Sequence, residues 1–515
     1  MIWKNNVHLM VDVNLVECEE STSMVREEVF KPHAEPLIGP RDTPLLLGQT
    51  SEDGSSSAVP VMVIKDGSRY RMWYQIRGVS AYDTAADQNK RAPVAYAESD
   101  DGVHFKPVEI GREEWNGSRQ NNLVHFEMPP DVPIRLSGFM HDPLDSEWPF
   151  KCVYNRPASS SEMEPGLLAR YPNYANREWY FVWGIGRSRD GLSWEMPRHD
   201  HNMVHAHPEH AHLHRAFDGG LVLSDQMMSS MADWGYRNVK GWITYDEETA
   251  HRIPDYLFSM PQHMARLHSE YFGDQWNGQV WVQPHMGLVC ARYGSTMMAL
   301  HGYLYGATGV ETFAQMSDVG LSASSTGITF RDVWPFRPFI QRGLRGSWDD
   351  GMVAQVAIVE NDDETLFYYT GGKGNLGAHY WPGVASIPRD RYGYRCIKGY
   401  RNTSLRDAIG RFTLKICELP QQPQFAVNVS QANSQRTVKL ELLDENDHVL
   451  PGYSAADCEP VVENGLRVIV QWKKNHNGAE LGGRKVKILV VIESKDCCSV
   501  MDDSPRVYAV YTGAE

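Results

Sequence analysis

The chain has 515 residues, a formal net charge of −15 and an isoelectric point of about 5.7, so it is long enough for two or more domains that each bury a core. Acidic and basic residues are interspersed, and no basic stripe indicates nucleic acid or an anionic membrane surface as a partner. No apolar run approaches the length needed to cross a bilayer.

The start of the chain has no charged segment followed by an apolar core, so no secretory signal is visible. The eight cysteines are scattered without a Cys-x-x-Cys pair, which argues against a zinc or redox motif. Free thiols fit a reducing compartment, and we expect a cytoplasmic protein. A secreted chain whose leader had been removed would show the same pattern.

Residues 1–55 form a segment with one strand-like run, 7–16, and a stretch punctuated by prolines. We expect this segment to pack as a strap along the side of the following domain. The first clear hairpin follows, with strands 58–64 and 70–75 joined at Asp66-Gly67. An Asp-Gly pair between apolar runs is among the strongest hairpin signals.

One turn recurs along the chain, at Ser99–Gly102, Ser188–Gly191 and Ser324–Gly327, each followed closely by an aromatic residue. The glycine supplies the positive φ of a tight turn, and the Ser or Asp side chain bonds the turn backbone. A degenerate copy at Tyr245-Asp246 lacks the glycine. Repeated hairpins of this kind are typical of propeller blades.

A fifth apolar unit, 351–359 with 365–372, completes a count of five blades over residues 56–388. Within the middle blades we expect hairpins between 134–140 and 150–154, between 210–217 and 221–223, and between 279–282 and 287–293. The alternative is a set of unrelated hairpins in a β-sandwich. A six-bladed sialidase-like propeller is a further alternative, although its boxes usually separate Asp and Gly by one residue.

After about residue 389 the strands alternate strictly between apolar and charged residues, as in Val438–Leu442 and Val486–Val490. This period of two predicts an antiparallel β-sandwich over 389–515. It is either a structural cap or a separate sugar-binding module. The predicted fold class is therefore all-β, a five-bladed propeller followed by a sandwich.

The chain resembles the five-bladed propeller glycoside hydrolases, the superfamily of invertases, levanases and arabinanases, and more closely its uncharacterised bacterial relatives. The resemblance depends on four stretches: Leu9–Glu17, Tyr70–Tyr74 with Ala97–Gly102, Gly346–Met352, and Leu450–Cys458. The resemblance implies glycosidase activity. The Asn-Asp-Pro-Asn box and the Glu-Cys pair of invertases are absent, and Asp142-Pro143, which is similar to an Arg-Asp-Pro motif, has the setting of a hairpin turn.

Hydrolysis of a glycosidic bond needs one carboxylic acid and one carboxylate on opposite faces of the sugar. We expect such groups just before the innermost strand of each blade. Asp53 is the predicted nucleophile or base, Glu209 the predicted acid, since the resemblance implies an acid in the third blade, and Asp349 positions substrate or tunes the acid. The predicted substrate-binding residues are Glu52, Arg135, His210, His212, Glu270, Asp274, Trp348 and Asp350.

Seven of the 20 histidines lie between residues 199 and 214. Alternate positions on a strand share one face, so His210, His212 and His214 contact sugar, act as an acid or hold a metal. The spacing fits no familiar zinc pattern, and we expect no cofactor, with a structural metal ion as the open alternative.

Three functions remain open at this stage. The first is a glycoside hydrolase acting on an oligosaccharide or polysaccharide fragment. The second is a phosphorylase that uses phosphate in place of water, with Arg135 and Arg215 as anion contacts. The third is a non-catalytic carbohydrate-binding propeller. The expected partner is carbohydrate, with a homo-oligomer possible.

Overall fold

The computed structural model describes residues 1–39, 57–77, 93–115, 117–127, 135–159, 161, 180–197, 201–203, 211–228, 237–247, 249–253, 280–307, 315–335, 337–373, 380–398, 401–473, 478–499 and 504–514. Its regular structure consists of 32 strands and a three-residue 3₁₀ helix, Ala479–Leu481, which confirms the predicted all-β class. Among these residues, no helix has the length and apolar character needed to cross a membrane.

The strands of the first half follow in chain order. They are β1 (Trp3–Lys4), β2 (Val7–Leu9), β3 (Val16–Glu20), β4 (Thr22–Arg26), β5 (Ser57–Asp66), β6 (Arg69–Arg77), β7 (Val94–Ser99), β8 (Lys106–Pro107), β9 (His125–Glu127), β10 (Arg135–His141), β11 (Phe150–Ala158), β12 (Tyr180–Ser188), β13 (Ser193–Glu195), β14 (His201–Met203), β15 (His212–Arg215), β16 (Leu221–Met228), β17 (Arg237–Thr244) and β18 (Ala250–Arg252).

The second half continues the series. Its strands are β19 (Val280–Tyr293), β20 (Thr296–Ala307), β21 (Gln315–Ser324), β22 (Arg331–Asp332), β23 (Met352–Glu360), β24 (Glu364–Gly372), β25 (Tyr380–Pro388), β26 (Gly393–Ile397), β27 (Arg401–Glu418), β28 (Pro423–Ser430), β29 (Arg436–Leu443), β30 (Gly465–Ile469), β31 (Lys485–Ser499) and β32 (Arg506–Gly513).

Most of the strands between residues 57 and 388 form five antiparallel meanders, which we number 1 to 5: β5–β8, β10–β13, β15–β18, β19–β22 and β23–β25. β9 and β14 add to meander 2, and one bridge joins β21 to β23. The outer edge of meander 5 pairs with the N-terminal segment, because Phe30 and Ser386 exchange both backbone hydrogen bonds at 2.9 and 2.7 Å.

The repeated turns connect the third and fourth strands of meanders 1 to 4. Gly102, Gly191 and Gly327 have φ of 79°, 76° and 76°. Their amides donate to the Oγ of Ser99, Ser188 and Ser324 at 2.9–3.0 Å. In the degenerate copy Glu247 takes the glycine's place with φ 62°, and its amide donates to Thr244. The predicted repeat is therefore real, including the copy without glycine.

Each turn is held by the preceding meander. The Tyr368 hydroxyl of meander 5 donates to the Gly102 carbonyl of meander 1 at 2.7 Å, and the Trp73 indole of meander 1 donates to Gly191 of meander 2 at 2.7 Å. Lys151 of meander 2 binds the Glu247 carboxylate of meander 3. His214 of meander 3 lies 2.8 Å from the Gly327 carbonyl of meander 4.

The first strands of the meanders contact each other in the circular order β5, β10, β15, β19, β23 and again β5. Neighbours run in the same direction. Gly138 of β10 lies against Ala211, immediately before β15, and further along the same strands the hydrogen bond from Arg215 to Asp142 follows at 2.8 Å. All five strands line one cavity of about 50 Å³, to which they contribute Met62–Ile64, Phe139–His141, His212–Leu213, Leu288–Cys290 and Val356–Ile358. We call the end where the first strands begin the starting end and the other the far end.

One predicted hairpin is wrong. Residues 279–282 and 287–293 do not fold back on each other, because β19 runs as one strand from Val280 to Tyr293 and pairs with β20. Its register shifts between His285 and Val289, so the chain bulges there instead of turning. A Cβ on Gly287 would lie 2.3 Å from the Ser224 carbonyl oxygen, which shows that this glycine serves close packing rather than a turn.

Two further sheets contain the C-terminal strands. One has the order β30-β28-β32-β26-β4 with β2 paired to β32, and the other has the order β29-β31-β27-β3. They share one hydrophobic core that includes Phe425 and Val427 from the first sheet and Leu440 and Ile488 from the second. The N-terminal segment thus adds β2 and β4 to the first of these sheets and β3 to the second, while β1 pairs with β19 of meander 4.

The meanders and the C-terminal sheets are joined by buried polar contacts. The Tyr511 hydroxyl of β32 donates to Asp390 at 2.8 Å, and the Tyr293 hydroxyl at the end of β19 donates to Glu360 at 2.8 Å. Lys4 lies against both carboxylates. This network ties the far end of meanders 4 and 5 to the C-terminal sheets.

Replacing Gly102 and Gly67 by alanine in two separate variants distinguishes backbone strain from steric conflict. The new Cβ would lie 2.8 Å from the Tyr368 hydroxyl, whereas at Gly67, which has φ 61°, nothing lies within 4 Å. We expect Gly67→Ala to lower the free energy of unfolding by about 1 kcal/mol, from positive φ alone, and Gly102→Ala to lower it by roughly 3 kcal/mol. Thermal or denaturant unfolding measures both values. Equal losses for the two variants would contradict the contact between meanders 5 and 1.

Candidate functional site

The starts of the first strands carry buried polar side chains, whereas the central cavity further along them is lined mostly by apolar residues. Polar side chains buried at this end include Ser57, Gln75, Ser137, Asn155 and Gln355. The residues that line the cavity beyond them are mostly Met, Val, Ile, Leu and Phe. The starting end is therefore the candidate site for a polar molecule.

A β-bulge interrupts four of the five first strands at the boundary between the two zones. The register shifts between Pro60 and Met62, Ser137 and Met140, His285 and Val289, and Gln355 and Ala357. Bulges re-aim side chains and are common next to active sites. Here they separate the polar starts of the strands from their apolar continuations.

Polar side chains connect neighbouring meanders at this end. The Gln355 amide donates to the Gly287 carbonyl at 2.7 Å, and the Gln75 amide donates to Leu136 at 3.0 Å. The backbone N–H of Tyr380 donates to Ser57 at 3.0 Å, which links meander 5 to meander 1. The starts of the first strands are thus held in fixed positions relative to each other.

Several buried polar atoms at the starting end have no hydrogen-bond partner in the part of the chain that the structure describes. They are the Oε1 of Gln355, the Oγ of Ser137, and both side-chain polar atoms of Asn155. A buried polar atom without a partner costs free energy of about 1–3 kcal/mol. Such atoms in a native fold are expected to meet water or a ligand.

Asn155 and Asp225 extend the contact between meanders 2 and 3. Val153 of β11 and Leu223 of β16 pack in the same hydrophobic cluster. Because strand side chains alternate, Asn155 and Asp225, two residues further along each strand, lie on the same facing surfaces. Both residues are 0% exposed. A carboxylate and an amide are therefore buried between these two meanders at the starting end.

The Asp349 carboxylate is held by three hydrogen-bond donors. Its carboxylate oxygens accept hydrogen bonds from the Lys31 ammonium at 2.6 Å, the Tyr369 hydroxyl at 3.1 Å and the Ser347 hydroxyl at 3.0 Å. Burial lowers the pKa of Lys31, and its hydrogen bond to Asp349 opposes this effect. A carboxylate held by three donors suits positioning better than proton transfer.

The neighbours of Asp349 are held as well. Trp348 stacks on Tyr369 with ring centroids 5.9 Å apart and an interplanar angle of 9°. Asp350 accepts the Gly346 amide at 2.8 Å, and Arg342 donates to Asp318 at 3.0 Å. These contacts fix the loop that leads into β23.

His212 lines the cavity, and burial together with nearby His214 lowers its pKa to about 4. His214 shares its strand and is 0% exposed, and burial lowers its pKa to about 4 as well. Both imidazoles are therefore neutral near pH 7, where they act as hydrogen-bonding groups rather than cations. His214 is used in the contact with Gly327 between meanders.

The described ranges cover only part of the predicted site. Asp349, Trp348 and Asp350 lie at the starting end, His212 lines the cavity beyond it, and of Arg135 the structure describes the backbone alone. Asp142 lies at a turn at the far end, as expected, and its carboxylate binds Arg215 and the Leu144 amide. The other predicted residues, Glu52, Asp53, Glu209, His210, Glu270 and Asp274, lie outside the described residues. Their roles stay predictions.

Sequence reasoning missed Asn155, Asp225 and Gln355. Each is a polar residue inside an apolar strand, as in Leu221-Val-Leu-Ser-Asp225. That local break in pattern was the available signal, since buried polar residues are the informative exceptions. No group of three or more metal-ligating side chains occurs among the described residues.

Chemically, the described part of the site offers uncharged donors and acceptors around a buried carboxylate. Amides and hydroxyls can bind the hydroxyl groups of a polar ligand without a net charge. Two of the cations described near this end, Lys31 and Arg342, pair with Asp349 and Asp318. The amide and hydroxyl groups are suited to a hydroxyl-rich molecule.

No protein-family model and no curated protein matches the chain. Solved structures match much of its length, including a glycoside hydrolase with 10% identity, 70% coverage of this chain, 92% of its own and a TM-score of 0.40. A glycosyl hydrolase from Bacteroides ovatus has 13% identity, coverages of 71% and 95% and a TM-score of 0.39. A family GH32 β-fructofuranosidase from Bombyx mori has 10% identity, coverages of 89% and 91% and a TM-score of 0.35. These proteins belong to the class that the sequence resemblance named, and at TM-scores below 0.5 they carry no argument about activity.

Removing the lysine partner of Asp349 should destabilise the fold. The two side chains are 22% and 5% exposed, so Lys31→Met leaves a nearly buried carboxylate without its cation, and we expect a loss of about 3 kcal/mol in unfolding free energy. Arg69→Met, in an ion pair whose side chains are 57% and 24% exposed, is the control and should lose less than about 1 kcal/mol. Adding Asp349→Asn to Lys31→Met should recover part of the loss. Equal losses of unfolding free energy for Lys31→Met and Arg69→Met would show that Lys31 contributes no more to stability than a surface charge.

Buried imidazoles predict instability in acid. Burial lowers the pKa of His8, His212 and His214 from 6.5 to about 4. The unfolded chain binds these protons first, so stability is complete above pH 6.5 and is lost as pH falls toward 4, by at most about 1.4 kcal/mol per pH unit for each imidazole. Unfolding midpoints measured between pH 7.5 and 4 should fall accordingly, and His8→Gln should flatten the slope.

The control for that variant is His448→Gln, at a side chain that is 78% exposed. A slope for His8→Gln that is identical to the slopes of the parent and of this control would rule out the buried histidines as its cause.

Proposed function

We propose that the chain is a glycoside hydrolase whose five meanders are the blades of a propeller, with carboxylates at its mouth, the starting end, cleaving a glycosidic bond. The closed order of the first strands and the cavity that they share support five blades. The shared core of the last two sheets supports a β-sandwich. We keep the domain boundaries at 1–55, 56–388 and 389–515.

One observation carries the proposal: the first strands of meanders 1 and 3 begin at the same end of the ring. In the sequence Asp53 precedes β5 by four residues and Glu209 precedes β15 by three. This common direction supports the proposal that acidic residues far apart in the chain meet at one rim. A pair of carboxylates is what glycoside hydrolysis requires.

Each residue has a distinct proposed role. Asp53 attacks the anomeric carbon or activates water, Glu209 protonates the leaving oxygen, and Asp349 positions the substrate or tunes the acid. The proposed substrate contacts are Glu52, Arg135, His210, His212, Glu270, Asp274, Trp348 and Asp350. Neighbouring carboxylates raise each other's pKa, which helps to keep one of them protonated for the acid role.

Asp53→Asn and Glu209→Gln test the assignment. We would first identify a substrate by screening a glycan library with the parent protein and then measure kcat/KM for each variant. Both should lose at least about 10²–10⁴-fold in activity, because acid–base groups contribute that much. The loss in Glu209→Gln should be smaller on aryl glycosides, whose leaving groups need less protonation. Asp100→Asn, at an exposed turn on the far end, is the matched control.

Three outcomes would contradict the proposal in different ways. Full activity of both variants on a substrate that the parent cleaves would overturn the site assignment. Release of a sugar 1-phosphate only when phosphate is present would identify a phosphorylase. Binding of glycans without turnover of any would identify a carbohydrate-binding propeller.

A further inference from the structure

The atoms without partners at the starting end form a chemically uniform set. The Oε1 of Gln355 is an acceptor, the Oγ of Ser137 is both donor and acceptor, and Asn155 offers one of each. All three residues lie before the bulges or beside them, on the polar side of the cavity. None of these groups carries a charge.

The positions of these side chains are fixed by their surroundings. The Gln355 amide is oriented by its hydrogen bond to Gly287 at 2.7 Å. Ser137 precedes Gly138, which packs against the Ala211 carbonyl at the start of meander 3. Asn155 is 0% exposed between meanders 2 and 3. Such preorganised groups lose little freedom on binding.

We propose that Asn155, Ser137 and Gln355 form the floor of the substrate site and hydrogen-bond the hydroxyl groups of a neutral sugar ring, directly or through one bound water. This inference rests on the proposed function for its ligand class. A sugar hydroxyl donates and accepts, so it complements amide and hydroxyl groups alike.

Stability and activity should respond in opposite directions to Asn155→Leu. If the amide is kept for ligand binding, leucine removes a buried group without a partner, so the unfolding midpoint should stay the same or rise. The same change should lower kcat/KM by at least about 100-fold, because a site built around polar contacts loses discrimination when they are removed. Ser137→Ala, a smaller change, tests the same floor should leucine not fit.

Asn122→Leu is the matched control. Asn122 is also 0% exposed, but its amide donates to the Tyr74 hydroxyl at 3.0 Å and the Tyr96 carbonyl at 2.8 Å. This variant should lower the unfolding midpoint by several degrees and leave kcat/KM unchanged.

Binding is measured separately from turnover. The unfolding midpoint of the parent should rise by roughly 2 °C in concentrated glucose, galactose, arabinose or fructose, for at least one of the four, and not in glucuronate or galacturonate. Asn155→Leu and Ser137→Ala should lose that rise, whereas Asn122→Leu should keep it.

The outcomes separate the two proposals. If the parent hydrolyses a glycoside but Asn155→Leu and Ser137→Ala match it in kcat/KM and in sugar-induced shift, the floor is wrong and the function stands. If neutral sugars shift the parent and not the variants while no glycoside is cleaved, the floor stands and the hydrolase proposal fails. A shift with uronates alone, or with no sugar, overturns the inference.

Discussion

The hydrogen bonds that four of the five meanders make to the turn of the next are the contacts on which the rest of the structure depends. They place a side chain from Tyr368, Trp73, Lys151 or His214 on a turn that belongs to a neighbouring sheet. Because these contacts recur around the ring, the angle between sheets is set at the far end. The starts of the first strands then have a fixed separation at the opposite end, where the proposed chemistry takes place.

The distribution of polar and apolar side chains along the first strands belongs to the same arrangement. Mostly apolar residues line the central cavity, whereas amide and hydroxyl groups occupy the starts of the strands. Burying polar atoms without partners is unfavourable for folding alone. Among the described residues such atoms also occur elsewhere, as at His8 and Asn122, so those at the starting end support a binding role only together with their position beside the bulges.

Much of this fold could be predicted from local sequence, because its repeating unit is a turn whose chemistry is local. Ser99 and Gly102 are three residues apart, and a motif that short can be recognised from the sequence alone. The partners of the turns could not be predicted, since Tyr368 and Gly102 are 266 residues apart. The error at β19 has a related cause: Gly287 is needed for close approach to Ser224, a contact that the sequence around it does not show. The site was harder still, because Asn155, Asp225 and Gln355 matter through burial, and burial is a property of the folded chain.

The pairing of Phe30 with Ser386 has a consequence for how the protein is made. The two residues are about 350 positions apart. During synthesis Phe30 therefore has no partner until nearly all five meanders have emerged from the ribosome. Until then this part of the N-terminal segment lacks its partner strand and can associate with other chains. The same holds for β4, which pairs with β26, and for β2, which pairs with β32 at the very end of the chain, so the N-terminal segment completes its contacts only when synthesis is nearly finished.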